Sequence, residues 1–231
     1  MPIHEDTVLR MAALSSALAP MLRGKFCDTL LPNRVATIFD KEDVIYELGD
    51  TARILFFIRT GVVKIGTIIN SGREIIYDIR KTGDVVGELA CFESPRRDRA
   101  VAVERTEAVA VPFSEIMNVL AKHPALLQNF IEACGRALSE AYDQIDRLAA
   151  GNVEHGLVEV LKSLADKLGH PAGELVEIAT YLTQEELSQM VVARRERVST
   201  ALNSLRRQGV VQYSSRGYLL VDMRALERYR L

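Results

Sequence analysis

At Pro124 the hydrophobic pattern of this 231-residue chain changes period, and that change demands two kinds of architecture on one polypeptide. From about Val35 to Phe113 the apolar residues come in short β-rich runs: Ala36 to Ile38, Val44 to Tyr46, Ile54 to Arg59, Val62 to Thr67, Glu74 to Ile79, Ala100 to Glu104 and Ala108 to Pro112. Turn signals separate them at Gly49-Asp50, Gly61, Ser71-Gly72, Gly83-Asp84 and Gly87. Many short strands broken by glycines predict an antiparallel sandwich or jelly roll, and roughly eighty residues suit one such barrel. Ahead of it, Asp6-Thr7 can cap a short helix to about Leu18, and an apolar stretch from Ala19 to Leu31 leads into the barrel.

Past Pro124 the period is helical. Leu127, Ile131, Cys134, Leu138, Ala141, Ile145 and Leu148 are spaced alternately four and three residues apart, an a/d seam over three heptads. A barrel packed against one helix also leaves an apolar stripe, but a strict 3.5-residue repeat favours a helix–helix seam and hence a parallel dimer. Gly151-Asn152 interrupts the pattern as a hinge would, and an amphipathic helix from Val153 to Leu168 follows. The expected fold class is α+β, with a sensor domain at 1–123, a dimerisation helix and hinge at 124–151, and a winged helix-turn-helix at 152–231.

The last of these is the most specific. Thr183-Gln184-Glu185-Glu186 is a capping box, in which the threonine hydroxyl and the Glu186 carboxylate satisfy each other's free backbone amides. Leu187, Met190 and Val191 continue at helical spacing. After Val192-Ala193 a second helix runs through Arg194, Arg195, Glu196 and Arg197, with Val198, Ala201, Leu202 and Leu205 as its apolar face and Gly209 at its end. Arg195, Glu196, Ser199 and Thr200 project from the other side. Arginine pairs bidentately with guanine, glutamate accepts from cytosine, and short hydroxyls reach bases or phosphates. Arginines in a first helical turn oppose the macrodipole, which makes sense if a polyanion lies against them. Two strand-like runs, Val210 to Tyr213 and Tyr218 to Val221, flank Ser214-Ser215-Arg216-Gly217, a wing with an arginine at its tip.

Charge is distributed to match. The chain is formally −2, yet from Thr180 onward nine arginines face five carboxylates, which leaves +4 on that segment and −6 on the remainder. A basic module on an acidic body is the footprint of a local nucleic-acid site. No apolar run approaches the roughly 18 residues needed to span a membrane, and the acidic start lacks the basic region of a secretory signal, so a cytoplasmic protein is expected. Cys27, Cys91 and Cys134 are widely separated and form no C-x-x-C pair, against a disulfide framework or a zinc site. No nucleophile, base and orienter set suggests an enzyme.

With the order barrel, long helix, hinge and reader in view, the chain resembles the CRP/FNR family of bacterial transcription regulators, which includes the cyclic-AMP receptor protein and related oxygen and carbon monoxide sensors. The marks are Gly49-Asp50 followed by Leu55 to Ile58 and Gly61-Val62-Val63, then Gly83 to Leu89, Pro95-Arg96, the long helix and the winged reader. The resemblance covers nearly the whole chain and implies a cyclic-nucleotide-binding-like jelly roll, a homodimer reading palindromic double-stranded DNA, and RNA polymerase as a partner. Its recognition-helix positions fall on Arg195, Glu196, Ser199 and Thr200, with Thr183, Arg194, Arg197 and Arg216 beside them. One departure is Val192, where many members carry glycine.

In the cyclic-nucleotide branch a Gly-Glu pair binds the ribose and a later arginine pairs with the cyclic phosphate; Gly87, Glu88 and Arg96 match those places, with Leu89 adjoining. The residue after the arginine is Arg97 where cyclic-AMP binders carry Ser or Thr, and the adenine-contacting Thr-Ser pair falls on Ala141-Tyr142. Three readings of the effector site therefore stand: an orphan barrel in which Glu88 and Arg96 pair internally, a cyclic AMP or cyclic GMP site, and a site for another anionic nucleotide drawn by Arg96, Arg97 and Arg99. Thiol redox sensing through Cys91 is a further variant, and a cyclic-nucleotide module with no DNA role is the rival class. A cysteine-ligated iron–sulfur cluster generally needs four cysteines. A haem in the carbon monoxide sensor's manner needs a barrel histidine, whereas His4, His123, His155 and His170 all lie outside the barrel and that sensor's ligand position carries Leu89. The same lack of histidines argues against a metal-dependent cupin, and no metal site is expected.

Overall fold

The structure is a computed structural model, and it describes residues 31–92, 94–128, 130–132 and 152–229. The expected helices ahead of Leu31, and Cys134, Leu138, Ala141, Tyr142, Ile145, Leu148 and Gly151, lie outside those residues. The chain divides into two compact units, Met1–Asp146 and Arg147–Leu231.

In the first unit, β1 (Thr37–Phe39), β3 (Ile54–Thr60), β6 (Val85–Val86) and β8 (Thr106–Pro112) form one sheet in the order β1-β8-β3-β6. The other contains β2 (Val44–Tyr46), β4 (Val62–Ile68), β5 (Glu74–Lys81) and β7 (Arg99–Ala102), in the order β2-β7-β4-β5. All pairings in both sheets are antiparallel, as the short alternating runs predict.

Alternation along β3 explains the layering, because successive side chains leave a strand on opposite faces. Leu55 and Phe57 join Val85, Val109 and Val111 in a cluster that Ile116 and Leu120 of α1 (Phe113–Lys122) cover from outside. Ile58 faces the other way and packs with Tyr46, Val63, Ile65, Val86 and Ala100 between the two sheets, with the partly buried Phe56 against them. Each such side chain contributes about 1.5–3 kcal/mol when fully buried. A two-residue strand such as β6 carries no readable period, which is why Val85-Val86 was legible only as part of a turn motif; each of its valines nonetheless serves one of the two clusters.

Residues 124–128 and 130–132 are helical, and their faces differ. Leu126 and Phe130 pack against the outer barrel cluster, with Phe130 stacked on Phe92 at 5.9 Å. Leu127 and Ile131, the first two seam positions, are 37% and 63% exposed.

The second unit opens with α2 (Val153–Leu168), where the Asn152 side-chain oxygen accepts from the backbone amides of Glu154 and His155 at 2.9 and 3.3 Å. Then come β9 (Gly169–Ala172), β10 (Leu175–Ile178), α3 (Gln184–Val191), α4 (Arg195–Arg207), β11 (Val211–Tyr213), β12 (Leu219–Val221) and α5 (Met223–Arg228). The wing is not a free hairpin. β12 also pairs with β10, giving a sheet in the order β11-β12-β10-β9. The sequence conceals β9 because His170 and Pro171 read as a break, yet proline is tolerated on an edge strand, where β9 lies. Leu157, Leu161 and Leu164 of α2, Leu187 of α3, Val198, Leu202 and Leu205 of α4, and Val211, Leu219 and Val221 of the sheet are all buried.

The turn between α3 and α4 is held by the residue that departs from the family pattern. Val192 takes φ 55° and ψ 39°, a left-handed conformation, and the Ala193 amide donates to Ser188 O at 3.1 Å. A β-branched residue there costs roughly 1–3 kcal/mol. Val192→Gly should therefore raise the stability of this unit by about 1 kcal/mol, after the added chain entropy of glycine is set against the relieved strain. A thermal melt in which the variant unfolds at lower temperature than the parent would contradict this.

Candidate functional site

The reader is built outward from the buried face of α4. Because Val198, Ala201, Leu202 and Leu205 face the core, the helix must turn its other side to solvent. Arg194 is the residue just before the helix, in extended conformation, and Arg194, Arg195, Glu196, Arg197 and Thr200 are exposed, with Ser199 half-buried. The helix thus begins one residue later than its sequence suggests. Arg194, Arg195 and Arg197 make no ion pair among the described residues. Thr200 Oγ1 donates to Glu196 O at 2.9 Å, which leaves its oxygen free to accept.

Thr183 caps α3 as expected: its hydroxyl accepts from Glu186 N at 3.1 Å while Thr183 N donates to the Glu186 carboxylate at 2.9 Å. The wing tip exposes Arg216 within a turn closed by Gly217 N donating to Ser214 O at 3.0 Å. Two features of this surface were not read from the sequence. Arg206 lies 5.2 Å from the Tyr213 ring and braces the wing against α4. Arg197, Thr200, Ser204 and Arg207 recur at helical spacing along a groove of about 440 Å³ between α4 and the start of α2. Their spacing along one helix was the available signal.

The barrel side chains form a buried polar corner. Gly87 has φ 87°, and a Cβ on it would lie 2.9 Å from Arg96 Nη1 and 3.0 Å from Ile54 O. That position therefore needs glycine twice over, for its backbone and for the arginine beside it. Arg96, only 4% exposed, donates from Nη1 to Gly87 O at 3.2 Å and from Nη2 to Ile54 O, and its guanidinium lies 4.0 Å from the Tyr46 ring centroid. The backbone pins the same residue: Arg96 N donates to Asp50 O at 2.8 Å and Gly49 N to Arg96 O at 2.9 Å, which ties the Gly49-Asp50 motif to the Pro95-Arg96 motif.

Glu88 is 1% exposed, and its partner is not Arg96 but Arg80, whose Nη2 lies 3.3 Å from Glu88 Oε1. The internal Glu88–Arg96 pair considered from the sequence is thus replaced by another. Arg80 Nε is 3.2 Å from Asp78 Oδ2 as well. Tyr46 donates from its hydroxyl to Asp98 Oδ2 at 2.8 Å. Arg97 is exposed, while Arg99 is shared by Glu47 at 3.2 Å and Glu74 at 3.7 Å. Leu89 is buried in a 3₁₀ turn (Glu88–Cys91), which Arg53 holds through the carbonyls of Ala90 and Cys91. Cys91 is 6% exposed within an apolar cluster, the setting in which thiols are inert. No group of His, Cys, Asp and Glu among the described residues is arranged to hold a metal ion. Asp78 and Arg80 were missed; the signal was a charged pair at alternate positions on either side of Ile79 in a strand whose other interior residues are Ile75, Ile76 and Tyr77.

Burial raises the Glu88 carboxyl to about 7, opposed first by Arg80 and reinforced by Asp98 and Asp78. The Tyr46 hydroxyl is pushed up mainly by burial and then by Asp98.

Residues 37–123 match the cyclic nucleotide-binding domain, and residues 157–229 match the Crp-like helix-turn-helix domain. The chain belongs to the CRP/FNR family of transcription regulators. A CRP-like cAMP-activated global transcriptional regulator from Mycobacterium tuberculosis is 26% identical over 96% of this chain and 98% of its own length. A global nitrogen regulator from Synechocystis is also 26% identical, over 81% of this chain and 84% of its own. Among solved structures, a CRP-family regulator from Thermus thermophilus superposes with a TM-score of 0.66 at 25% identity, covering 83% of this chain and 95% of that one. A mutant of CooA from Carboxydothermus hydrogenoformans does so with a TM-score of 0.69 at 20% identity, over 90% and 92%. This family member, then, is a DNA-binding transcription regulator that joins a cyclic nucleotide-binding-type barrel to a winged helix-turn-helix.

For Glu88 the folded-state value lies above the ordinary carboxylate range, so the folded barrel holds the proton more tightly than the unfolded chain does. Its contribution to stability is full below the ordinary carboxylate value and is lost as pH rises through about 7. Thermal melts from pH 5 to pH 7.5 should show the parent losing stability over this window relative to Glu88→Gln. Parallel pH profiles for the two proteins would exclude that assignment.

Proposed function

We propose that this chain works as a homodimer that reads palindromic double-stranded DNA through paired α4 helices, under the control of a nucleotide-class ligand acting on the barrel. The observation that carries the reading is the exposed cluster Arg194, Arg195 and Arg197, without an ion pair among the described residues, at the start of a helix whose opposite face is the buried core of its unit. Cations at that end of a helix are opposed by its dipole, and a phosphate backbone is the partner that reverses the sign of that cost.

In this reading Arg195, Glu196, Ser199 and Thr200 meet base edges. Arg194, Arg197 and Thr183 lie beside them against the backbone, and Arg216 reaches phosphate from the wing. Dimerisation through the 127–148 seam is supported by the division of faces in residues 124–132: Leu126 and Phe130 serve the barrel, whereas Leu127 and Ile131 are left uncovered at a four-residue interval. A one-barrel explanation of the stripe would have buried them. A dimer of such readers spans half-sites about one helical turn apart, roughly 34 Å. The Gly87 to Arg96 corner is where a ligand would act, and the family match together with the cAMP-activated relative supports the nucleotide class. Acting on promoters, the protein would work alongside RNA polymerase in the cytoplasm.

Arg195→Ala or Glu196→Ala should cost roughly 1–3 kcal/mol of specific binding and relax preference at one base position, whereas Arg216→Ala should weaken all sequences alike and lower the salt slope by about one. Competition gel shifts across single-base variants of a selected operator test both; unchanged base preference in Arg195→Ala and Glu196→Ala removes those two residues from the base-reading set. Leu127→Asp combined with Ile131→Asp should shift sedimentation to monomer at low micromolar concentration, and a persistent dimer would count against the seam.

A further inference from the structure

The barrel's polar corner is already occupied by the protein itself. Glu88, the carboxylate that would accept from a ribose hydroxyl, faces the Arg80 guanidinium at 3.3 Å, and both groups are buried, at 1% and 2% exposure. Arg80 is fixed from its other edge by Asp78 at 3.2 Å, and residues two apart on a strand share a face, so β5 delivers the pair together. Arg96, the guanidinium that would fork onto a cyclic phosphate, spends its two terminal nitrogens on Gly87 O and Ile54 O and its flat face on Tyr46. Groups that would recognise a ribose phosphate are present, and Glu88 Oε1 and the two terminal nitrogens of Arg96 are turned onto internal partners, while Glu88 Oε2 and Arg96 Nε are buried without a hydrogen-bond partner among the described residues.

We propose that Arg80 is the specificity-determining residue of this barrel: held between Asp78 and Glu88, it takes the place of the ribose at Glu88 and closes the site to 3′,5′-cyclic mononucleotides. The inference rests on the reading of the barrel as the input domain and narrows what that input is. A ligand that enters must offer a group able to replace a guanidinium between two carboxylates or an acceptor strong enough to draw Arg80 away. A cyclic mononucleotide offers a neutral hydroxyl to Glu88 and one phosphate charge, which Arg96 alone would answer. Exchanging a buried ion pair for a hydroxyl leaves Arg80 with one carboxylate fewer, and stranding a buried charge is strongly unfavourable. Arg80 acts here on the choice of ligand; it is not assigned a role in reading DNA.

The test compares the full-length protein with Arg80→Leu and with the double variant Asp78→Asn/Arg80→Leu, which removes the second carboxylate along with its partner. Each is titrated calorimetrically with cyclic AMP and with cyclic GMP, and folding is checked by cooperative thermal melting. The expected result is no saturable binding to the parent up to roughly 1 mM, and at least about a tenfold tightening in one or both variants, abolished again by adding Glu88→Gln. Micromolar binding by the parent overturns the proposal, and so does a folded pair of variants that bind no better than the parent. Loss of cooperative melting in both variants would mark Arg80 as a core stabiliser and not a selector, and overturns it as well. Gel shifts on the same proteins keep the two readings apart: a parent that binds cyclic AMP and still retains duplex DNA refutes the selector alone, whereas failure to retain any duplex at low salt refutes the regulator.

Discussion

A buried guanidinium needs acceptors and opposite charge from within the protein, and the barrel is arranged around two such groups. Arg96 takes the carbonyls of Gly87 and Ile54 and lies on Tyr46, while Arg80 takes Asp78 and Glu88. These contacts dictate much of the local geometry. Gly87 has no room for a Cβ because Arg96 occupies it, the Gly49-Asp50 turn is bonded to the Arg96 backbone, and Glu88 is carried inward on a buried 3₁₀ turn. The glycines and short turns that punctuate the sequence therefore do more than end strands. They bring charged side chains into an interior that apolar alternation alone would have sealed, at a desolvation cost that internal pairing offsets.

The second unit follows the opposite principle. Its buried residues are apolar apart from Thr180 and Ser188, and its charged side chains are on the outside, with Arg194, Arg195 and Arg197 together at the start of α4. The buried face formed by Val198, Ala201, Leu202 and Leu205 fixes which way Arg195, Glu196 and Thr200 point, so the direction of the reader is a consequence of packing. The β10–β12 pairing adds a rigid base for the wing, since a hairpin tied into a four-stranded sheet presents Arg216 in a more defined position than a free one. Among the described residues of this unit, Val192 at the turn is the non-glycine residue in a left-handed conformation, and it joins α3 to α4.

Where the sequence was legible, the reason was periodicity or a capping motif. Seven of the barrel strands announced themselves by alternation and bounding glycines, and the Thr183 to Glu186 box marked the start of α3 to the residue. The strands that escaped are those with no pattern to detect: β6 is two residues long, and β9 contains Pro171. Gly87 and Arg96 were found as parts of one motif and do meet in space, whereas the partner of Glu88 was not found, because Arg80 is its tertiary neighbour and not a sequence neighbour in any motif. On the reader side the exposed positions could be named from the helical wheel, whereas the Arg206–Tyr213 brace joins two elements and had no linear signal.

The central claim is that a protein with this barrel and this α4 reads DNA as a symmetric pair. Selection of bound duplexes from a fully randomised library by the full-length protein, followed by sequencing, tests it with no target sequence assumed. The predicted result is an inverted repeat whose half-site centres lie about one helical turn, roughly 10 base pairs, apart. Enrichment of a single unrepeated site, or no enrichment above the starting library at low salt, would contradict it.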